Sequence, residues 1–331
     1  MSINDRRVGA MRTRRESMTA ASLVIVAVLG LSATMACSKI AGLKAIMSYK
    51  EGNKAYQAQD WKRAARLYED SLQSDPNQAQ IYFYLGNSYD NLYKPLLQDP
   101  ANEALLTKAV QNYELGADKL NKPEDAKLQK LTLQYLVAAY GPDKLNDPVK
   151  AEPAVQRMIK LDPGDPANYF VLAKIYEDAA IYDEAEKILG MAREAKPGDP
   201  AVYMQLAGYY NRQGRFDKTI GALHERAAKE PNNPEAFYTL ATYYWDEAYR
   251  DIKLKDPEKK EYVQSGIDAV DQALKIRADY VEAMVYKNLL LRLQANIEKD
   301  PAKQQALIKQ ADQLRDKAQE IRKTKASGVG D

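Results

Sequence analysis

A single thiol, Cys37, and a single imidazole, His224, limit the chemistry open to this chain. One cysteine excludes a disulfide within the chain, and with one histidine there is almost nothing from which to build a metal site or a nucleophile–base pair. Carboxylates are plentiful but scattered, as solvated helix faces require, and no glycine-rich phosphate loop occurs. His224 reads as an exposed helix residue. No enzyme activity, metal or cofactor is therefore expected. What abounds is recognition chemistry: 23 tyrosines stand against 4 phenylalanines. A tyrosine ring packs while its hydroxyl stays wet, which suits half-exposed surfaces.

The charge pattern narrows the partners. The formal charge is +2, but the first 36 residues hold five arginines against Asp5 and Glu16, a net +3, which leaves the rest at −1. A near-neutral body has no electrostatic footprint for nucleic acid. With 45% hydrophobic and 28% charged residues, the chain is globular and long enough for a sizeable core.

The elements that must position these residues repeat. Shifting Pro166–Pro231 against itself by about 34 residues aligns Asp165-Pro166 with Asp199-Pro200, Tyr169 with Tyr203, Leu172-Ala173 with Leu206-Ala207, and Tyr182-Asp183 with Phe216-Asp217. Tyr169, Leu172, Ala173 and Tyr176 form one helical stripe, and Ala185, Leu189 and Ala192 a second after a short polar turn. Each unit is thus a pair of antiparallel helices. Ala173 and Ala185 fall where the helices cross, because a methyl lets the backbones approach. Pro197 stops one unit and Asp199-Pro200 opens the next, Asp as N-cap and Pro in the first turn.

This pattern resembles the tetratricopeptide repeat. The resemblance implies an all-α fold, a right-handed superhelix of antiparallel helix pairs, with about seven repeats over residues 40–323. It also implies a concave groove that holds a peptide or an extended segment of another protein. Gly52, Ala64, Tyr68 and Leu72 mark the first unit, and Tyr82, Leu85-Gly86 and Tyr89 open the second. The second, third and sixth units are widened. There, Asp99-Pro100, Asp147-Pro148 and Asp256-Pro257 place caps where a delayed second helix begins, so the insertions read as longer first helices with ordered returns. Asp300-Pro301 starts a polar last helix that solvates the open end, and residues 324–331 read as a disordered tail.

Residues 1–36 read as a signal peptide: an arginine-rich start, an apolar run from Ala20 to Leu31, then small or polar residues. The run is short for a membrane span. Thr34-Met35-Ala36-Cys37 resembles the lipobox of bacterial lipoproteins, with Thr34 where leucine is usual. That resemblance implies acylation of Cys37 and a periplasm-facing lipoprotein, with Ser38 favouring the outer membrane. An ordinary cleavage after Ala36 and an uncleaved membrane-spanning helix are the alternatives.

In the repeat family the first helix of each unit lines the groove. Carried onto this chain, that lining is Phe83 and Asn87, Phe170 and Lys174, Met204, Asn211 and Arg212, then Tyr238, Thr242 and Trp245. The aromatic and amide character suits an extended peptide, although Phe170, Met204 and Tyr238 equally suit packing on adjacent units. The residues of the family's carboxylate clamp are largely missing: Asn53 fits, but Tyr49, Tyr84, Leu131 and Tyr135 stand at the other places. Tyr93 and Tyr249, at the start of two widenings, are either partner contacts or helix anchors. The expected function is a non-enzymatic scaffold of the bacterial cell envelope whose partners are other proteins. Its rival is a glycan or small-ligand binder, or an enzyme, acting through Tyr and Trp side chains.

Overall fold

Helices account for nearly all of residues 41–327, which are those described by the computed structural model. The expected leader, Cys37 and the last four residues lie outside them. The chain divides at Leu161/Asp162 into two units. The first unit holds α1 (41–57), α2 (Trp61–Ser74), α3 (Ala79–Leu92), α4 (Pro100–Lys119), a 3-10 turn (Pro123–Asp125), α5 (Ala126–Tyr140) and α6 (Pro148–Leu161). The second holds α7 (Pro166–Asp178), α8 (Tyr182–Ala195), α9 (Pro200–Arg212), α10 (Phe216–Lys229), α11 (Pro234–Arg250), α12 (Asp256–Ile276), α13 (Val281–Ile297) and α14 (Pro301–Ala326). Consecutive helices pack on one another inside each unit, and the first helices also meet, α3 with α5 and α11 with α13. Among the described residues there is no strand, and no helix is long and apolar enough to cross a membrane.

Several helix pairs close on a small residue. A Cβ added to Gly52 of α1 would stand 2.8 Å from the Tyr68 ring of α2, and one on Gly86 of α3 would stand 2.9 Å from the Tyr113 ring of α4. In α7 and α9 the same place holds Ala173 and Ala207, buried, and the second helix answers with the smaller Leu189 and Leu223. In the repeat register of these four pairs glycine is matched with tyrosine and alanine with leucine, so the summed volume of the two positions is similar.

The starts of the helices follow the Asp-Pro signals. Asp99, Asp165, Asp199, Asn233 and Asp300 each accept a backbone N–H two residues on, with proline in the first turn of the helix. Asp147 accepts from Lys150 N at 3.1 Å. At Asp256-Pro257 the helix starts one residue early: Lys255 is the N-cap, and its N–H donates to Glu258. A second recurring tie explains the taste for tyrosine. The hydroxyls of Tyr82, Tyr169 and Tyr203 donate to the carbonyls of Pro76, Pro163 and Pro197, each six residues back, at 3.0, 2.9 and 2.7 Å. The first turn of each helix is thereby tied to the turn that precedes it. In α11 the equivalent residue is Phe237, which has no hydroxyl to give.

Two expectations need correction. The widening of the second repeat does not lengthen its first helix: α3 has 14 residues, while the second helix, α4, has 20. In the third repeat α5 and α6 have 15 and 14 residues, so the extra length lies in the return. Only the sixth repeat extends its first helix as expected, to 17 residues in α11, and α12 grows to 21. A cap marks where a helix begins and is silent about which of two partners lengthens. Residues 324–326, expected in the tail, belong to α14, which continues to Ala326. α14 is polar apart from buried Ala311 and Ala318, with Leu314 and Ile321 packed on Val281 and Met284.

Removing one tyrosine tie should cost the net worth of one hydrogen bond, about 1 kcal/mol. Tyr203→Phe is expected to lower the unfolding free energy in urea by that amount, and an unshifted midpoint would show that the tie carries no stability.

Candidate functional site

In the first unit, three first helices, the start of α2 and the return after α5 line a polar, aromatic hollow of about 390 Å³. Tyr56 comes from the last turn of α1, Trp61 from the start of α2, Asn87, Asp90 and Asn91 from α3, Tyr135 from α5, and Lys144 from the return after α5. The spacing of α3 explains its share: Asn87, Asp90 and Asn91 fall at i, i+3 and i+4 on one face.

A continuous network holds these side chains. The Tyr56 hydroxyl donates to Asn87 Oδ1 at 2.6 Å, and Asn91 Nδ2 donates to the same oxygen at 3.0 Å and to the Asn87 carbonyl at 2.8 Å. Asn87 Nδ2 donates to the Tyr113 hydroxyl at 3.5 Å, and that hydroxyl donates to Asp90 Oδ2 at 3.3 Å. Lys144 Nζ pairs with Asp90 Oδ1, both largely shielded from water. Burial, with smaller contributions from Tyr135 and Tyr84, pushes the Tyr56 hydroxyl up to about 12, so it keeps its proton and stays a donor at neutral pH. Burial likewise drives Tyr113 upward, aided by Asp90. The aromatic wall is edge-to-face: the Tyr56 ring lies 5.1 Å from Trp61 and 5.3 Å from Tyr84.

Among the described residues, the Trp61 indole N–H, the Tyr135 hydroxyl and Asn91 Oδ1 in this hollow make no hydrogen bond, and Lys144 Nζ has further N–H groups to give. Three donors and an acceptor beside aromatic faces match a backbone segment, which offers carbonyls and N–H groups in alternation.

The second unit displays a different surface. On α11 and α13 the Tyr238 ring lies 5.2 Å from Tyr280 and 5.4 Å from Tyr286, and Trp245 lies 5.6 Å from Tyr286. Trp245 also stacks on Tyr249 at 5.0 Å and 9°, and Tyr249 is exposed. Further along, Arg212 of α9 grips Glu177 of α7 with two hydrogen bonds of 2.7 and 2.9 Å. That bidentate grip, opposed by burial, raises the guanidinium further above its ordinary range.

The structure distributes the expected lining residues unevenly. Phe83 is buried, its ring 5.5 Å from Tyr135 and 6.3 Å from Tyr113, so it packs the floor instead of lining the surface. Asn87 is buried as well but opens on the hollow, where it is the hub of the network. Phe170 is half-buried, and Lys174 is exposed and pairs with Asp178. The half-buried Met204 sulfur accepts from Arg226 at 2.9 Å. Asn211 is exposed at the end of α9, and Thr242 donates to the Thr239 carbonyl at 2.6 Å. Only Tyr238 and Trp245 are brought together, through Tyr286. His224 is exposed, with Nε2 3.2 Å from the Tyr244 hydroxyl. Sequence reasoning passed over Trp61, Lys144 and Tyr286, noted Asp90-Asn91 only as the near-pair before Tyr93, and set Tyr135 aside as a misfit to the clamp. Asn91 had a signal, one turn beyond Asn87. Lys144 had none, because 54 residues separate it from Asp90. Among the described residues no group of three or more His, Cys, Asp or Glu could hold a metal ion.

Comparison with known proteins agrees with this architecture. Two family models described as tetratricopeptide repeat match residues 49–92 and 144–208. Among solved structures, the C-terminal part of a TPR repeat-containing protein from Cytophaga hutchinsonii has a TM-score of 0.50 at 16% identity, covering 82% of this chain and 98% of that one. A MamA protein has a TM-score of 0.42 at 18% identity, covering 65% and 99%. YrrB, a TPR protein with an unusual peptide-binding site, has a TM-score of 0.38 at 18% identity, covering 59% and 91%. No curated protein gives a significant match.

Replacing Lys144 with methionine would leave the Asp90 carboxylate with only the Tyr113 hydroxyl. Lys144→Met is expected to lower stability by about 2 kcal/mol, the scale of a hydrogen bond to a charged group. Asp90→Asn should add little on top of it. Fully additive losses, measured by urea unfolding, would show that the two side chains do not act as a pair.

Proposed function

The chain is a tetratricopeptide repeat protein, and from that premise we propose a non-enzymatic scaffold that binds segments of other proteins on the faces of its first helices. The observation that carries the reading is the first-unit hollow, where Trp61, Tyr135, Lys144 and Asn91 leave donors and an acceptor unspent beside aromatic rings. A groove for an extended chain needs that combination, with polar groups for the backbone and flat apolar walls for side chains. The Tyr238–Trp245–Tyr286 strip of the second unit supplies further ring surface of the same kind.

In this reading the scaffold works in the bacterial cell envelope. The arginine-rich start, the apolar run and Cys37 support export followed by acylation, and burying more than one acyl chain would hold the protein durably on a membrane. Only three residues separate Cys37 from the first described helical residue, so the repeats would stand close to the bilayer on its periplasmic side. The partners would be proteins of envelope assembly or secretion. An uncleaved N-terminal helix would give the same function from a membrane-spanning anchor.

The test is a crosslinking pull-down from native membranes with wild type, Tyr238→Ala/Trp245→Ala and Cys37→Ser. The double variant should keep its helical content and lose captured partners, and Cys37→Ser should move the protein to the soluble fraction. Undiminished capture by the double variant would move the partner surface off this strip, and unchanged fractionation of Cys37→Ser would rule out the acyl anchor.

A further inference from the structure

The late start of α4 does more than lengthen a repeat. It opens a hollow of about 640 Å³ between α2, the end of α3 and α4 in the first unit, away from the first-helix hollow just described. The return that creates it is built in place. Lys94 N donates to Asn102 Oδ1 at 2.8 Å, and buried Asn102 Nδ2 donates back to the carbonyls of Lys94 and Leu97, both at 2.9 Å. The gap is therefore held at a set width by a side chain whose polar groups are satisfied.

Its floor and rim differ in character. Ala65, Leu92, Leu105 and the Tyr89 ring make the floor, while Lys62, Arg63 and Arg66 stand on the rim. Lys108 lies over the Tyr89 ring at 4.9 Å. The acids here are engaged: Glu69 accepts the Tyr89 hydroxyl and lies 3.9 Å from Lys108, and Asp60 caps α2. Arg63 makes only a long pair with Glu51, at 3.9 Å. Lys62 and Arg66 are exposed and form no ion pair among the described residues. The rim thus has a surplus of uncommitted cations around an apolar floor.

We propose that this hollow is a second docking site, separate from the first-helix hollow, for an acidic protein segment that presents an apolar side chain between carboxylates. The apolar side chain would fill the floor, and the carboxylates would meet Lys62, Arg63 and Arg66. A hollow is complementary to a protruding side chain and not to the plane of a bilayer, which favours a peptide over an anionic lipid surface.

The experiment measures fluorescence anisotropy of two dye-labelled peptides with the full chain in detergent. One peptide has two central leucines flanked by glutamates, and the other is its lysine-flanked counterpart. The acidic peptide is expected to bind at least tenfold more tightly, and more weakly as salt is raised. Lys62→Glu/Arg66→Glu, two exposed changes checked for intact helical content, should abolish that preference, whereas Lys187→Glu on α8 should not. Equal binding of both peptides, or a preference that survives the double charge reversal, would overturn the proposal. So would acidic-peptide binding lost instead in Tyr135→Ala, which would place the peptide on the first-helix face. Binding of the chain with its leader removed to phosphatidylglycerol vesicles, without binding of the acidic peptide, would overturn it in favour of a lipid surface.

Discussion

The structure depends on how closely two helices can approach at one residue in most repeats. At Gly52 and Gly86 the approach is so near that an added methyl carbon would meet a tyrosine ring at under 3 Å. Alanine takes that place in α7, α9 and α11, all buried. Because side-chain volume at the crossing sets helix separation, matching glycine with tyrosine in two pairs and alanine with leucine in two others keeps those pairs alike while the sequence varies. Uniform pairs stack with their first helices side by side, as α3 with α5 and α11 with α13.

From that spacing follows the division of labour among tyrosines. Rings at the crossings and first turns are structural, and their hydroxyls close hydrogen bonds to proline carbonyls or to acids of neighbouring helices, as Tyr140 does with Glu114 at 2.6 Å. Tyrosines one face further round, such as Tyr56, Tyr135 and Tyr249, show their rings at the surface. A chain built this way gains recognition surface without a separate binding domain, since each first helix contributes a short polar and aromatic stripe. Glu186 shows the same economy on the second helices. Burial raises its pKa, but Lys218, Arg215 and Tyr210 outweigh that and hold it at about 2, joining α8 to α9 and α10.

Local rules were legible in the residues alone. Asp-Pro caps, the helical stripes and the small crossing residues depend on neighbours within a turn or two, so the repeat architecture and most helix starts could be read directly. The places of Asn87 and Trp245 on first helices were legible for the same reason, being one turn from repeat landmarks. What depended on distant partners was not legible. The Asp90–Lys144 pair joins a helix to a return one repeat away, and Tyr286 meets Trp245 only because α13 lies beside α11. The lengthening of α4 in place of α3 was hidden too, because a cap reports a beginning and no more. Phe83, on the expected lining face, is drawn inward by the Tyr113 and Tyr135 rings, a matter of packing that periodicity cannot decide.

The central claim, that recognition lies on the first-helix faces, is tested most directly by site-specific photocrosslinking in living cells. A photoreactive phenylalanine would replace Tyr135, Tyr249, Lys187 or Glu225, one at a time. Protein adducts are expected at positions 135 and 249 and none at 187 and 225, which lie on α8 and α10. Adducts confined to 187 and 225 would contradict it and place the partner on the second helices.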